Sequence, residues 1–480
     1  MSKQNNLTDF LTDVANAIRA KKGSTDLINP QNFSAEIATL SGGLEVIEMT
    51  ETTATIEPNK VYVWGMVESL NITLGASTDD SDFFAFRFRC SKPTMTSLTV
   101  NGATWDDDTV LNAEGKPILD LGSWYQCEIK GGTSALYVRL MHYIPFKDSN
   151  VEAVLMAKGI GDGLGITYKD AAKVTGISTW FSKNTDITSF NELQYFVGIS
   201  KLYDNAFMNC SNLLSVILPK DVIISQSCFS GSGLQTIENT ETIKNTTLYT
   251  STFSYCRSLQ SINLPDNIKN IKASCFEECN KLTQITFPSN LNSIENYAFK
   301  KCTSLITDVI LLNVTYIGIS AFEGCESIQY MKFGSALSTI SQYSFSGCKN
   351  LKIVDGFENT VLTNTSWNTF YGCSSLQSIQ LPESLTTIDG SAFNGCSSLK
   401  EITIPAGVTK INGGAFNNCS SLQYIRIEAT TPPTLASTSA IPSTIGAIYV
   451  PDESVTAYQA ATNWSSFASK IKGISEMPAK

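Results

Sequence analysis

Cysteine is the residue type whose spacing in this sequence could support chemistry. Nine of the 13 cysteines follow a phenylalanine by three residues, as in AFNGCSSL at 392–399 and AFNNCSSL at 415–422. Such a column of thiols could hold a row of metal ions or form a chain of disulfides. Zinc needs four converging ligands, which a single column does not supply, and Ser232 replaces the cysteine in one copy. We therefore interpret the column as small buried side chains and predict no metal site.

Two other cysteines, Cys90 and Cys127, stand well before the column. We interpret them as core thiols, and the sequence leaves open whether they are bonded. The first residues lack the apolar stretch and the cleavage site of a Sec signal peptide. We therefore expect the chain to fold in a cytoplasm, which keeps most thiols reduced.

Catalytic motifs are missing from the sequence. The single histidine, His142, stands beside a predicted strand, and the GxSxG, HExxH and GxxxxGK[ST] patterns do not occur. Acidic pairs such as Asp106 with Asp108 lie in turn-like stretches that predict solvated loops. We predict a protein that is not an enzyme, with no catalytic residue and no cofactor.

The elements that must position the cysteines repeat along the second half of the sequence. Within each copy, a stretch such as LKEITIP alternates apolar and polar residues, which predicts a strand with one buried face. One copy cannot bury that face alone, so the period predicts a solenoid of stacked units. The phenylalanine that opens each copy recurs at intervals of 22–25 residues: Phe207, Phe229, Phe253, Phe276, Phe299, Phe322, Phe345, Phe370, Phe393 and Phe416.

The repeated pattern AFxxCxxLxxIxLPxxIxxI resembles the BspA-type leucine-rich repeat over about residues 207–427. The resemblance implies a solenoid of about ten 23-residue units at 197–428. Such repeats are similar to those of bacterial and protist surface proteins and of many phage-encoded proteins. The resemblance also implies a C-terminal cap at 429–480, closed by the apolar residues Ile448, Val450, Tyr458, Trp464 and Ile471.

Three segments precede the repeats, and together they predict a multidomain, mainly β protein. Residues 1–42 have the pattern of a small amphipathic helical module. The stretch IRAKKGSTDLINPQNFSAEI within them resembles a segment near the N-terminus of many phage tail and virion proteins. Residues 43–148 carry six alternating stretches at the spacing of a β-sandwich-like domain.

The third segment, 149–196, resembles an EF-hand-like junction that often precedes these arrays. Glycines at 159, 161 and 163 stand where the resemblance requires calcium ligands, so we predict no calcium. We interpret the segment as a packing wedge and as an N-terminal cap, in which Phe190, Leu193 and Phe196 cover the first coil.

The overall charge limits the partners. The chain has 34 basic and 44 acidic residues, a formal net charge of −10, and no cluster of lysine and arginine. A phosphate-binding surface needs such a cluster, so we do not expect nucleic acid as a partner. No run of about 18 apolar residues occurs, so we predict no membrane insertion.

Solenoids bind partners on the exposed side of their stacked strands. The residues 8 and 10 positions after each phenylalanine should point outward, as in the pair Thr307 and Val309. This surface is mostly small and polar, which suits hydrogen bonding to a glycan or a polar protein loop. Two places set an aromatic ring beside a cation, and both types are common binding anchors. The predicted ligand-binding residues are Tyr330, Lys332, Glu401, Tyr424, Arg426 and, in a longer copy, Trp367.

Aromatic residues in 43–148 suggest sugar stacking, with core packing as the alternative. Trp64 lies in a strongly alternating stretch, which favours the core. Trp105, in NGATWDDDTV, is the better candidate for an exposed, sugar-stacking side chain.

We consider three functions. The first is a phage virion protein, fibre-like on a tail or a head, that attaches through residues 1–42 and binds a host surface glycan or protein through the repeats. The second is a bacterial surface adhesin of BspA type, although an adhesin must be exported. The third is an intracellular interaction scaffold. We favour the virion protein, made in the host cytoplasm, and expect a homo-oligomer because fibre-like virion proteins are often trimers.

Overall fold

The structure, a computed structural model, describes residues 45–58, 60–76, 83–90, 97–101, 103–105, 117, 119, 124–130, 137–161 and 165–478. The described residues form two compact units. The first takes its residues from Met1–Thr175 and Ser189–Ile199, and the second from Gly176–Thr188 and Ser200–Lys480. The predicted helical module at 1–42 lies outside the described residues. The mainly β, repeat-rich character that the sequence predicts is confirmed.

The first unit consists mainly of strands. They are β1 (Glu45–Met49), β2 (Thr53–Ile56), β3 (Lys60–Val67), β4 (Ser69–Leu74), β5 (Phe83–Cys90), β6 (Ser97–Asn101), β7 (Thr104–Trp105), β8 (Trp124–Lys130) and β9 (Tyr137–Tyr143). Two helices follow, α1 (Ser149–Ala157) and α2 (Tyr168–Lys173), and then a two-residue strand, Ser189–Phe190, and a 3-10 helix, Asn191–Tyr195.

Two sheets of the first unit share one apolar core. The larger has the order β1-β3-β5-β8-β9-β7, and the smaller has the order β2-β4-β6. Trp64, Phe86 and Tyr125 enter the core from the larger sheet, and Ile72 and Val100 from the smaller. The six predicted strands coincide with β3–β6, β8 and β9. The parallel pairing among β1–β6 was not predicted. The sandwich topology of 43–148 stays a prediction.

Side chains define the starts of both helices. Asp148 accepts a hydrogen bond from the Asn150 amide at 3.0 Å before α1, and Thr167 accepts one from the Asp170 amide at 3.0 Å before α2. These bonds satisfy amides that have no partner within the helix. Residues 162–164 of the intervening loop are not described, so the absence of calcium stays a prediction.

The segment that was predicted to cap the first coil is buried within the first unit. Phe190, Leu193 and Phe196 are each fully buried. The ring of Phe146 lies 6.3 Å from that of Phe190 and 6.4 Å from that of Phe196. Their capping of the repeats stays a prediction.

The second unit consists of coils, each named here after its phenylalanine, and every regular coil has two short strands. The first-row strands are Ser215–Ile217, Thr236–Glu238, Ser261–Asn263, Gln284–Thr286, Val309–Leu311, Tyr330–Phe333, Ile353–Asp355, Glu401–Ile404, Tyr424–Ile427, Ala447–Val450 and Ile471–Gly473. The second-row strands are Gly176–Ile177, Lys201–Leu202, Ile223–Ile224, Thr247–Leu248, Asn270–Ile271, Ser293–Ile294, Tyr316–Ile317, Thr339–Ile340, Thr387–Ile388, Lys410–Ile411 and Thr434–Leu435. Other helices are α3 (Val455–Ala460) and the 3-10 helices Thr240–Thr242, Phe357–Asn359, Thr438–Ala440, Asp452–Ser454, Trp464–Lys470 and Ile474–Glu476.

The phenylalanines of successive coils form one stacked row. Neighbouring ring centroids are 5.1–5.7 Å apart, and neighbouring ring planes differ by 2–19°. The row begins at Phe181, whose coil was not predicted because Asn184 takes the place of the cysteine. Each coil thus supplies the apolar wall that its neighbour lacks.

Backbone hydrogen bonds join the coils beside this row. From Phe207 to Phe416, each phenylalanine amide donates to a carbonyl of the next coil at 2.7–2.9 Å. The bond starts from a tight turn, whose backbone has a positive φ both two residues before and two residues after the phenylalanine. The residues two before are Asn205, Ser227, Ser251, Ser274, Tyr297, Ser320, Tyr343, Asn368, Ser391 and Gly414. The residues two after are Asn209, Gly231, Tyr255, Glu278, Lys301, Gly324, Gly347, Gly372, Gly395 and Asn418.

The last part of the chain continues the first row. Ala447–Val450 pairs with Tyr424–Ile427, and Ile471–Gly473 pairs with Ala447–Val450. The Tyr458 hydroxyl donates to the Ala429 carbonyl at 2.7 Å, and Trp464 Nε1 donates to the Pro433 carbonyl at 2.7 Å. All five apolar residues named for the cap are buried: Ile448, Val450, Tyr458, Trp464 and Ile471. The capping role itself stays a prediction.

Candidate functional site

Outward side chains of the first-row strands form the candidate site, which we call the strand face. In Ser261–Asn263 and Gln284–Thr286 the outer residues are exposed, whereas Ile262 and Ile285 are buried. This alternation follows from the two-residue period of a strand with one buried side. The outer residues are therefore available to a partner.

Tyr330 and Lys332 meet on one carboxylate of the neighbouring strand. The Tyr330 hydroxyl and Lys332 Nζ each donate to Asp355 Oδ2, at 2.9 and 2.8 Å. The hydrogen bond and charge of Lys332, followed by the bond from Tyr330, lower the pKa of the Asp355 carboxyl. The same pairing raises the pKa of Lys332. The three side chains therefore form one fixed polar cluster on the strand face.

A second cluster lies around Tyr424. Its hydroxyl donates to Glu401 Oε2 on the adjacent strand, and its ring meets the Tyr449 ring edge-on, with centroids 5.6 Å apart. Burial and the bond to Glu401 raise the pKa of Tyr424 to about 12. Arg426 pairs with Glu428 at 3.1 Å. Both predicted aromatic–cation pairs therefore bind acidic side chains, and these contacts were not predicted.

The predicted residues do not form a single site. Four coils separate Tyr330 from Tyr424, which is about 20 Å at a strand spacing of about 4.8 Å. Trp367 is 52% exposed but follows the second-row position of its coil, so it is not on the strand face. Its ring lies against Gly390, where an added Cβ would come within 2.4 Å of Trp367 Cζ3.

The tryptophans of the first unit lie in or against its core. Trp64 is fully buried, and its Nε1 donates to the Glu51 carbonyl at 2.6 Å. Trp105 is partly buried and packs against the same core. Sugar stacking by Trp105 stays a prediction, and its partial burial limits the ring surface that it could offer.

The strand face departs from prediction in the Phe299 coil. Val309 was expected to point outward, but it is fully buried, and Ile310 takes the outward position with 47% exposure. The cause is Asp308, which stands where other coils have a buried aliphatic residue. Burying a lone carboxylate is costly, so the strand is shifted by one residue.

The shift interrupts the first row. In the described second unit, no ladder joins Gln284–Thr286 to Val309–Leu311. The Thr307 hydroxyl lies between the two coils instead, accepting from the Ile285 amide at 3.2 Å and donating to the Thr283 carbonyl at 3.3 Å. An open cleft of about 460 Å³ lies at the break. Asp308 in the aliphatic column was the sequence signal for it.

The cysteine column has a structural explanation. Nine thiols, from Cys210 to Cys419, each donate to the carbonyl of the phenylalanine one coil earlier, at 2.9–3.3 Å. Cys127 and every cysteine of the second unit are buried and unbonded to another sulfur. Burial raises the pKa of Cys210, Cys256 and Cys419 to about 12. Such thiols stay protonated at neutral pH and are poor nucleophiles or metal ligands.

Two negative findings concern the described part of the chain alone. Its helices are all too short or too polar to cross a bilayer. Its histidine, cysteine and acidic side chains form no group of three or more that could hold a metal ion.

Comparisons with known proteins agree with the repeat geometry. Residues 172–251, 240–352 and 315–432 match the family described as BspA type leucine rich repeat region, in six copies. No curated protein matches the chain.

The chain is also similar to solved structures at low sequence identity. A leucine-rich repeat protein from Bacteroides ovatus is 23% identical, covers 62% of this chain and 87% of its own, and has a TM-score of 0.42. A leucine rich cell surface protein from Faecalibacterium prausnitzii is 23% identical, with coverage of 53% and 83% and a TM-score of 0.33. The pneumococcal vaccine antigen PcpA is 15% identical, with coverage of 78% and 100% and a TM-score of 0.33.

Proposed function

Because this chain belongs to the family of BspA-type leucine-rich repeats, we propose that it is a non-enzymatic adhesin that binds a surface protein through its strand face. The observation that carries the proposal is the pair of tyrosine clusters on that face. Each holds a tyrosine against a carboxylate of a neighbouring strand, with a cation nearby. Side chains fixed in this way lose little entropy on binding.

The chemistry of these clusters suits a protein partner. Tyrosine and arginine are enriched among residues that dominate binding energy, and around them the strand face offers small polar groups such as Asn263 and Thr286. A glycan partner is the main alternative outcome of the test below. The virion role, predicted from residues 1–42, receives no support from the family match, which begins at residue 172.

A binding assay on intact cells tests the proposal. Fluorescent full-length protein is titrated onto bacterial and epithelial cells, and the double variant Tyr330→Ala/Tyr424→Ala is compared with the unchanged chain. We expect at least about thirtyfold weaker binding, because truncating even one such anchor costs about 2 kcal/mol. Protease treatment of the cells should also abolish binding if the partner is a protein.

A matched control keeps the test specific. Lys349 and Glu326 form an ion pair between coils at 2.8 Å, as Lys332 and Asp355 do, but they lie in the turn after the phenylalanine row. Lys349→Ala should leave binding unchanged. If the tyrosine double variant binds as well as the unchanged chain, the binding site is not on the strand face. If binding survives protease treatment of the cells but is lost after glycosidase treatment, the partner is a glycan.

A further inference from the structure

The cleft in the Phe299 coil is a built feature of the strand face. It lies where Val309–Leu311, shifted by one residue relative to the other coils, does not pair with Gln284–Thr286. The stacking beneath it is undisturbed, since the Phe276 and Phe299 rings stay 5.2 Å apart. The opening is therefore confined to the outer layer of the array.

The walls of the cleft are aliphatic and aromatic. Ile285, Phe287 and Leu291 come from one coil, and Ile310, Leu312 and Val314 from the next. Ile310 and Leu312 are 47% and 50% exposed, and neighbouring Ile306 is 55% exposed. A group of exposed apolar side chains on a mostly polar face marks an interaction site. The volume of about 460 Å³ lies within the range of sites that take small ligands or side chains.

The charge at the cleft is negative. Among the described residues that line it, Asp308 is the one charged side chain, and it is exposed. The Asp266 carboxylate lies at the far end, where it accepts hydrogen bonds from the amide and hydroxyl of the lining residue Ser289 at 2.8 and 3.0 Å. Lys332, which lies opposite Ile310 on the neighbouring strand, is paired with Asp355. An occupant with a positive charge therefore gains favourable electrostatic interactions.

We propose that the cleft binds the aliphatic side chain of an extended segment of the partner protein, while a lysine or arginine beside it pairs with Asp308. The inference rests on the proposed protein-binding function and names the chemistry of the segment that is recognised. The aliphatic side chain covers Ile310 and Leu312, which water now contacts, and supplies the affinity. The cation supplies selectivity, since an exposed ion pair adds little energy but an unmatched charge is disfavoured.

Short peptides test the cleft directly in the full chain. The protein is labelled with ¹³C on isoleucine and leucine methyl groups, and three probes are titrated: acetyl-Lys-Leu-amide, acetyl-Glu-Leu-amide and acetyl-Lys-Ser-amide. We expect acetyl-Lys-Leu-amide to bind with a Kd in the millimolar range and to shift the Ile310 and Leu312 methyl signals. The glutamate peptide should bind about threefold more weakly, and the serine peptide should cause no shift.

Three variants separate the two parts of the proposal. Asp308→Asn should remove the preference for the lysine peptide and keep the requirement for leucine. Leu312→Ser should weaken binding of the lysine–leucine peptide at least threefold. Ile353→Ser is its matched control, because Ile353 is similarly exposed (55%) but lies outside the cleft. All three positions are exposed, so the variants should fold.

The outcomes are decisive in both directions. The proposal is overturned if the lysine–leucine peptide leaves the Ile310 and Leu312 signals unmoved, if the glutamate peptide binds as well, or if Ile353→Ser has the same effect as Leu312→Ser. The probes need no cell surface. A failure here therefore leaves the cell-binding result of Tyr330 and Tyr424 intact, and a failure of cell binding leaves the peptide result intact.

Discussion

At the scale of single residues, each cysteine of the column acts as a packing residue and as a hydrogen-bond donor. Its thiol donates to a phenylalanine carbonyl one coil earlier, and Ser232 in the same column contacts Cys256 Sγ at 3.3 Å. The sequence predicts burial of the thiols, because the column accepts serine and lacks converging ligands. It does not predict the acceptor, since that carbonyl belongs to the preceding coil.

Burial of the thiols predicts that the array loses stability at alkaline pH. Unfolded thiols ionise near pH 8.5, whereas Cys210, Cys256 and Cys419 have their pKa raised to about 12. Above pH 8.5 the unfolded chain therefore binds fewer protons than the folded chain, so the free energy of unfolding falls as pH rises. Each such thiol should contribute a slope of about 1.4 kcal/mol per pH unit up to about pH 12.

Urea unfolding at a series of pH values between about 8 and 10 measures this slope. In Cys256→Ser the slope should be smaller by the contribution of one thiol, because a hydroxyl does not titrate in this range. Equal stability across the series would mean that the thiols are accessible to water in the folded protein. Iodoacetamide should label the cysteines of the second unit in the unfolded protein and leave them unlabelled in the folded one.

At the scale of the coil, the turn around each phenylalanine requires two residues with positive φ. Only glycine adopts this backbone without steric cost, and asparagine tolerates it better than most residues. Several coils nevertheless carry larger residues there, such as Tyr297 and Lys301. The stacked neighbours therefore hold the turn in place even where the local sequence disfavours it.

Two adjacent glycines of the Phe416 coil allow a matched test. Gly414 has φ +72°, and a Cβ there would lie 3.0 Å from Ser391 Oγ, whereas a Cβ on Gly413 would make only ordinary contacts at 3.7 Å. Gly414→Ala should lower the free energy of unfolding by about 1–2 kcal/mol. Gly413→Ala should be neutral or stabilise by up to about 1 kcal/mol, because it restricts the unfolded chain. Equal effects in urea unfolding would contradict the assignment of the strained position.

The sequence predicts the coils well and their irregularities poorly. The 22–25-residue period and the alternation of LKEITIP suffice for the regular coils, because every copy has the same buried positions. Phe181 was missed because its coil lacks the cysteine. The outward position of Ile310 was missed because counting from Phe299 assumes a constant register, and Asp308 changes that register. The partners of Tyr330 and Tyr424 lie one coil away, where a single-copy pattern cannot show them.

At the scale of the whole molecule, stability of the array comes from contacts between neighbouring coils. The last coil therefore depends on residues 429–478 for its cover. Tyr458 and Trp464 are fully buried there, and both donate to carbonyls of the segment that follows the Phe416 coil. We propose that this part of the chain is the cap that the sequence predicts.

Removal of the largest buried side chain of this segment tests the proposed cap. Trp464→Ala should lower the free energy of unfolding by about 3–5 kcal/mol, and hydrogen exchange should rise first in the Phe393 and Phe416 coils. Trp367→Ala is the control: it removes a ring that is 52% exposed and should cost less than about 1 kcal/mol. Uniform loss of protection along the array would argue against a local cap.

The near identity of the last two coils, AFNGCSSL and AFNNCSSL, has a genetic consequence. A crossover between the DNA segments that encode them would insert or delete one whole repeat. Each event would change the length of the array by about 4.8 Å, the spacing of neighbouring strands, and would keep both strand rows aligned. The cleft lies several coils away, so such a change would lengthen or shorten the array and leave the proposed binding cleft unaltered.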